Sequence, residues 1–193
     1  MLGLKMETDP RWVNIVEQNI AEILTDHAYC EQKAASNAIS MIVKFPEHED
    51  LVRELTDICI EEMCHFKQVL EKIKERGLKM SHKRKDPYVN DLLQFVQKDG
   101  DAKAVLVDRL LMSAMIEARS CERFRILSQQ LSDEGLRKFY HELMVSEASH
   151  YTTFIGWARK LGGNIDVNKR WEDFLVYEGN LMKKYGKSET IHG

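Results

Sequence analysis

The chain has 193 residues, 44% of them hydrophobic and 31% charged, with a formal net charge of −3; that is enough for one sizeable globular domain with its own core. The charge balance provides no global basic field for gripping nucleic acid, although a local patch can still do so, and no run of about 18 apolar residues offers a membrane span. Three prolines and ten glycines, missing from long stretches, disfavour many short strands and favour helices.

Asp9 is placed to cap a helix with Pro10 at its first position. From there Val13, Val16, Ile20, Ile23, Leu24, His27, Glu31, Ala34, Ala35, Ala38 and Ile42 recur at three- and four-residue steps, predicting one long amphipathic helix that ends near Phe45-Pro46. A second helix is predicted over about 47–76, with Leu51, Leu55, Ile58, Glu62, His65, Val69 and Ile73 on one face and Gly77 as its stop. Residues 78–102 form a long connection. It opens with the basic stretch 79–85 and, after Asp86-Pro87, carries a short helix expected over about 88–98, broken by Asp99-Gly100-Asp101.

The third long helix is predicted over about 103–130, with Leu106, Leu110, Ala114, Glu117, Cys121, Phe124 and Leu127 on its apolar face. Ser132 or Asp133 caps the fourth, whose face reads Leu136, Phe139, Tyr140, Leu143, Glu147, His150, Tyr151, Phe154, Ala158 and Leu161 before Gly162-Gly163-Asn164 stops it. A shorter terminal helix is expected over 171–185, followed by a polar tail. Helices joined by very short turns must be antiparallel neighbours, so the pattern is two hairpins linked by one long crossover. We read 1–193 as a single domain. The four cysteines lie inside helices without C-x-x-C spacing and read as buried, reduced thiols. No leader pattern opens the chain, so a cytoplasmic location is expected.

Chemistry is carried by two Glu-x-x-His pairs, Glu62-Met63-Cys64-His65 and Glu147-Ala148-Ser149-His150. Residues i and i+3 share a helix face, so each pair presents a carboxylate and an imidazole together. Glu31 precedes Glu62 by 31 residues and Glu117 precedes Glu147 by 30. A lone glutamate on each of two helices plus Glu-x-x-His on each of two others is the metal-ligand set of ferritin-like bundles. All six residues fall within apolar stripes, where a carboxylate is normally protonated, paired or metal-bound. The fold class that follows is all-α: a ferritin-like four-helix bundle with one long crossover carrying a short helix, plus a C-terminal helix.

Depth supports the same set. Each of Glu31, Glu62, Glu117 and Glu147 lies about 15 residues from its hairpin turn, which places the four at one level along the helices. Glu122, beside Arg119 and Arg125, lies about a turn and a half off that level and is rejected in favour of Glu117. His27, one turn before Glu31, reads as a hydrogen-bonded packing residue or one supporting a ligand, rather than as a ligand itself. Tyr29, Arg119, Tyr140 and Tyr151 read as packing or surface groups, and Glu61 as solvated. Carboxylate and imidazole ligands suit iron or manganese.

Four strings carry a family resemblance: Thr25-Asp26-His27-Ala28-Tyr29-Cys30-Glu31-Gln32-Lys33-Ala34-Ala35, Arg84-Lys85-Asp86-Pro87-Tyr88-Val89-Asn90, Ile116-Glu117-Ala118-Arg119-Ser120-Cys121-Glu122-Arg123-Phe124 and Met144-Val145-Ser146-Glu147-Ala148-Ser149-His150-Tyr151. Together with the closing Ile191-His192-Gly193, they resemble the bacterial tRNA hydroxylase family MiaE over essentially the whole chain. The resemblance implies a di-iron enzyme that uses dioxygen to hydroxylate the isopentenyl group of 2-methylthio-isopentenyladenosine beside the tRNA anticodon. It places two iron ions, with manganese open as an alternative, on Glu31, Glu62, His65, Glu117, Glu147 and His150. It also implies a tRNA anticodon-loop partner and an external electron donor, since no flavin or nicotinamide motif is present. No membrane association and a monomer or small oligomer are expected. The basic stretch 79–85, with Lys183, Lys184 and Lys187, is a candidate for contact with the RNA backbone. The ligand set alone equally fits a ferritin-like oxidase or peroxidase acting on a small molecule, or a metal-binding bundle without turnover.

Overall fold

The computed structural model describes residues 2–82, 86–185 and 190–191. Among them are seven helices, α1 (Trp12–Gln18), α2 (Ile20–Lys44), α3 (Glu49–Glu75), α4 (Pro87–Leu92), α5 (Ala102–Gln130), α6 (Glu134–Leu161) and α7 (Val167–Tyr185), and no strand. The described residues of 18–85 and 189–191 form one compact unit, and those of 1–17, 86–188 and 192–193 a second.

In the first unit α2 and α3 pack as an antiparallel hairpin across the turn 45–48. Ile23, Leu24, Ala28, Ala35, Ala38 and Met41 of α2 are buried, as are Leu51, Leu55, Ile58, Val69 and Ile73 of α3. Each large side chain so buried contributes roughly 1.5–3 kcal/mol. Glu62 and His65 are buried within the same α3 stripe. Gly77 ends α3 with φ +64, a left-handed conformation that only glycine adopts freely. The amides of Gly77 and Leu78 then return to the carbonyls of Lys74 and Ile73 at 2.9 and 3.0 Å, closing the helix end in a Schellman turn.

In the second unit α5 and α6 form the corresponding hairpin. α5 differs from the other long helices in being buried almost all round, from Val105 to Leu127. Part of that burial, around Arg119 and Glu122, comes with a buried ionic network. The Arg119 guanidinium donates to both Glu178 oxygens of α7 (2.8 and 3.0 Å), to Glu122 Oε2 (3.0 Å) and to the Met6 carbonyl (2.9 Å). Glu122 also accepts from the amide and hydroxyl of Thr8 at 2.9 and 2.7 Å, and the Tyr88 hydroxyl donates to Glu178 at 3.2 Å. Residues 6–8, α4 and α7 are thereby tied to the outer side of α5. Burial lowers the Arg119 pKa, but the charges of Glu178 and Glu122 and the hydrogen bond to Glu178 outweigh it and the guanidinium ends raised. Burial, then Glu178, pushes the Tyr88 phenol well up, so it stays protonated and able to donate. Arg123 of the same helix lies 4.4 Å from the Trp12 ring centroid, a cation–π contact. At the other end Arg170 grips Asp108 at 2.6 and 2.8 Å and the Phe95 carbonyl at 2.8 Å.

Four expectations change. The first helix is broken at Asn19 (φ −135, ψ 36) into α1 and α2; the apolar period continues through the break, which hides it, although asparagine is a weak helix former. The short crossover helix stops at Leu92, where the amides of Gln94 and Phe95 fold back to Asp91 and Leu92 in tight turns, and the Phe95 ring stacks on Tyr177 at 4.4 Å. α7 begins a turn earlier than expected because Asp166 caps it, accepting from the Lys169 amide at 2.9 Å. Cys30 and Cys121 are buried as expected, but Cys59 is half-buried and Cys64 exposed, since both lie off the apolar stripe of α3. The capping question at 132–133 resolves to Asp133, which accepts from the Leu136 amide at 2.9 Å.

Candidate metal centre

Each hairpin gathers its own three candidate ligands. In the first unit Glu31 from α2 and Glu62 and His65 from α3 are all buried and offer one ligand atom each, these lying within 4.8 Å of one another. His65 Nδ1 is 3.9 Å from Glu31 Oε2 and 3.8 Å from Glu62 Oε2. In the second unit Glu117 from α5 and Glu147 and His150 from α6 are likewise buried, again with one ligand atom each within 4.8 Å of the others. His150 Nδ1 stands 3.8 Å from Glu147 Oε2. These distances are too long for hydrogen bonds and suit ligands spaced around an ion. Glu147 Oε2 is buried with no hydrogen-bond partner among the described residues. Leaving such an oxygen unsatisfied is costly, whereas a divalent cation satisfies it. The donor set, oxygens and imidazole nitrogens with no thiolate, is that of iron or manganese.

The neighbouring residues sort as follows. His27 is wholly buried and its Nε2 lies 2.5 Å from Glu31 Oε1. Glu122, rejected on depth, is committed to Arg119 and Thr8 on the other side of α5. Arg119 is therefore a buried structural group and not a surface one. Glu61 is exposed, with one oxygen 3.8 Å from His65 Nε2. Tyr140 packs on Phe124 and Phe139, each with centroids 5.3 Å away. Tyr151 packs on Trp171 at 5.9 Å, and burial raises its phenol against the opposing charge of Arg159. Burial, reinforced by Glu147, pushes the Cys121 thiol up to about 11; it stays protonated and donates to the Met144 carbonyl at 3.5 Å.

The string around Glu31 is used residue by residue. Thr25 accepts from the Ser81 amide (3.3 Å) and Tyr29 donates to the Ser81 carbonyl (3.1 Å), fixing the start of the basic stretch on α2. Asp26 accepts from the Ile191 amide at 2.7 Å. Lys79 and His82 are exposed, while residues 83–85 and Lys187 of the proposed RNA contact lie outside the described residues. Sequence reasoning missed Glu178. Its place on an apolar face of the terminal helix, shared with Phe174 and Met182, was the available signal.

Comparison with known proteins places the whole chain. Residues 2–193 match the family model described as tRNA-(MS[2]IO[6]A)-hydroxylase (MiaE). The chain belongs to the MiaE family. A Pseudomonas putida (strain KT2440) protein named tRNA 2-(methylsulfanyl)-N(6)-isopentenyladenosine(37) hydroxylase is 39% identical over 185 residues, covering 96% of this chain and 89% of the relative. A Salmonella typhimurium (strain LT2) protein of the same name is 28% identical over 222 residues, covering 91% of this chain and 81% of its own. Among solved structures, the Synechococcus "Protein 43 with aldehyde deformylating oxygenase activity" matches with a TM-score of 0.89 and 29% identity, over 98% of this chain and 95% of that one. The all-α, ferritin-like fold expected for this MiaE-family chain is borne out. No described helix is long and apolar enough to cross a membrane.

Proposed function

We propose that this MiaE-family protein is a cytoplasmic, non-haem di-iron tRNA hydroxylase, a monooxygenase that hydroxylates the isopentenyl group of 2-methylthio-isopentenyladenosine next to the anticodon. The observation that carries the reading is the full-length match to the family together with 39% identity to a relative bearing that name. In this reading residues 1–193 act as one domain. Glu31, Glu62 and His65 of one hairpin and Glu117, Glu147 and His150 of the other are the ligands of two iron ions, with manganese as the alternative metal. Support comes from the equal depth of the four glutamates and from the burial of all six side chains.

Two ferrous ions held by Glu31, Glu62, His65, Glu117, Glu147 and His150 would supply the redox chemistry and open coordination positions that reaction with dioxygen requires. In the net reaction one oxygen atom enters a C–H bond of the substrate and the other leaves as water, the balance being completed by two protons and by two electrons that come in total from an external donor. The chain's own part is to hold the ligands and exclude side reactions. Four carboxylates balance the charge of two divalent ions. Apolar residues of the same helices, Ala28, Ile58, Ala114, Leu143 and Phe154, lie one turn from a ligand in sequence and are all buried, which disfavours bulk water there. The target nucleoside stands in a single-stranded loop, so its side group is reachable without opening a duplex. The exposed start of the basic stretch, Lys79 and His82, is the proposed backbone contact.

The test is direct. Anaerobically loaded full-length protein is given precursor-containing tRNA, dioxygen and an electron-donor system, and the digested nucleosides are weighed by mass spectrometry. A gain of one oxygen on the prenylated nucleoside is expected, together with its loss from a host lacking the gene. Protein that binds two metal ions, leaves tRNA untouched and oxidises a small molecule would favour the oxidase reading, in line with the small-molecule activity for which the Synechococcus protein is named.

A further inference from the structure

We propose that His27 is a positioning residue that fixes how Glu31 presents its carboxylate, holding Oε1 so that Oε2 alone is offered to metal. The inference rests on the two-metal reading above and goes beyond it by making the two halves of the centre inequivalent. His27 sits one helical turn before Glu31 on α2, is wholly buried, and places Nε2 2.5 Å from Glu31 Oε1. With the carboxylate as acceptor, Nε2 carries the proton and donates. Glu31 Oε2 instead faces the candidate ligands, 3.9 Å from His65 Nδ1. The two oxygens are therefore committed to different partners.

The consequence is coordinative. A glutamate with both oxygens available can chelate one ion or bridge two, and can move between these modes. One whose Oε1 accepts a charge-assisted hydrogen bond is biased towards binding through the other oxygen and keeps its orientation. The imidazole is itself held by a braced segment: Thr25 and Tyr29 on either side are bonded to Ser81, and Asp26 to Ile191. The ring nitrogen that reaches the centre is already engaged by Glu31, so the geometry assigns His27 to orientation and not to ligation.

The other hairpin is built differently at the matching place. Four residues before Glu117 stands Ser113, whose hydroxyl donates to the Arg109 carbonyl of its own helix at 3.0 Å. No imidazole stands one turn before that glutamate. Two metal positions furnished with the same ligand types thus differ in the group set behind their lone glutamate, and they should fill with different affinities.

Anaerobic titration of the full-length protein with Co(II), a coloured stand-in for ferrous iron, reads this without turnover. Wild type is expected to bind two ions in separable steps. His27→Leu and His27→Asn, neither able to reach Glu31, should weaken one step by about 10–100-fold and leave the other unchanged. The visible bands of the weakened ion should shift as Glu31 changes its mode of binding. His27→Gln, whose amide N–H can replace the donor, should restore both the affinity and the bands. Far-UV circular dichroism and the thermal midpoint of the metal-free variants show that they are folded, and the asparagine variant keeps a polar group should leucine not fold. Wild-type affinity and bands in both deletion variants would overturn the proposal. So would loss of one ion that glutamine does not rescue, which would make His27 a ligand. Wild type that binds no metal at all would instead sink the metal centre itself.

Discussion

The α2/α3 hairpin and the α5/α6 hairpin carry nearly the same spacing of candidate ligands but are stabilised in different ways. α3 is strongly amphipathic, with a single buried stripe, and the N-cap residues of α2 and α3, Asn19 and His48, make no side-chain cap hydrogen bond. α5 and α6 are capped by Asp101 and Asp133, whose carboxylates accept from Lys103 and Leu136 amides. α5 is further clasped by Arg119, Glu122 and Glu178. Identical chemistry at one level of a helix therefore does not require identical support behind it. In the first hairpin Glu31 is backed by an imidazole; in the second, the ionic network lies beyond the ligand on another face of α5.

The sharpest way to test that separation is to remove each of two glutamates on α5. Glu117→Ala should lose metal and reduce tRNA hydroxylation to background. Glu122→Ala should keep both ions and most activity while losing about 1–3 kcal/mol of stability, because Arg119 and Thr8 forfeit a buried partner. Metal analysis beside urea unfolding distinguishes the two. The reverse outcome, metal lost only in Glu122→Ala, would move the ligand by more than a turn and break the depth argument.

Next in size is the clasp itself. Arg119→Leu strands Glu178 and Glu122 as buried carboxylates and should cost about 3–5 kcal/mol, read as a lowered urea midpoint of the metal-free protein. Lys33 stands two residues after Glu31, as Arg119 does after Glu117, and is only half-buried. Lys33→Leu should cost only about 0.5 kcal/mol. Equal costs would mean that the two hairpins share a buried network after all.

How far the chain could be read from its sequence follows the same division. The candidate ligands were legible because carboxylates inside an apolar stripe violate the ordinary pattern, and because four of them fall at nearly equal depth. The hairpins were legible because the period of three to four residues stops at Phe45-Pro46 and at Ser132-Asp133. The clasp was not, since Arg119 pairs with a residue 59 positions away, and no local rule connects Arg119 to Glu178 or Glu122 to Thr8. The break at Asn19 was hidden because hydrophobic spacing is indifferent to one residue's backbone angles. Glu122 could be set aside on depth, but its actual partners emerged only from the fold.

Capping gives a smaller contrast. Asp133→Ala removes the acceptor for the Leu136 amide and should cost about 1 kcal/mol. His48→Ala at the start of α3, where no side-chain cap bond exists, should be close to neutral. Thermal denaturation of both variants measures the difference. A large loss in His48→Ala would show that the first hairpin depends on its turn as strongly as the second does.

The smallest effect is also the one with a definite pH signature. Glu17, at the end of α1, accepts from the Ser132 amide in the α5/α6 turn at 2.7 Å, and that hydrogen bond lowers its pKa below the ordinary 4.5. A carboxyl whose folded pKa is depressed stabilises the fold above its unfolded pKa, and that contribution is lost as the pH falls through the folded value. Glu17→Gln keeps an amide oxygen that can accept from Ser132 but removes the charge. The thermal midpoint of metal-free wild type should therefore exceed that of Glu17→Gln by a small, constant margin at neutral pH. The margin should shrink once the pH drops below the ordinary carboxylate range and vanish in stronger acid, where both side chains are neutral. Working without metal matters, because acid also strips ligands and would mask the difference. A margin independent of pH would assign the contact to hydrogen-bond geometry alone. A margin that grows on acidification would reverse the sign expected from the depressed pKa.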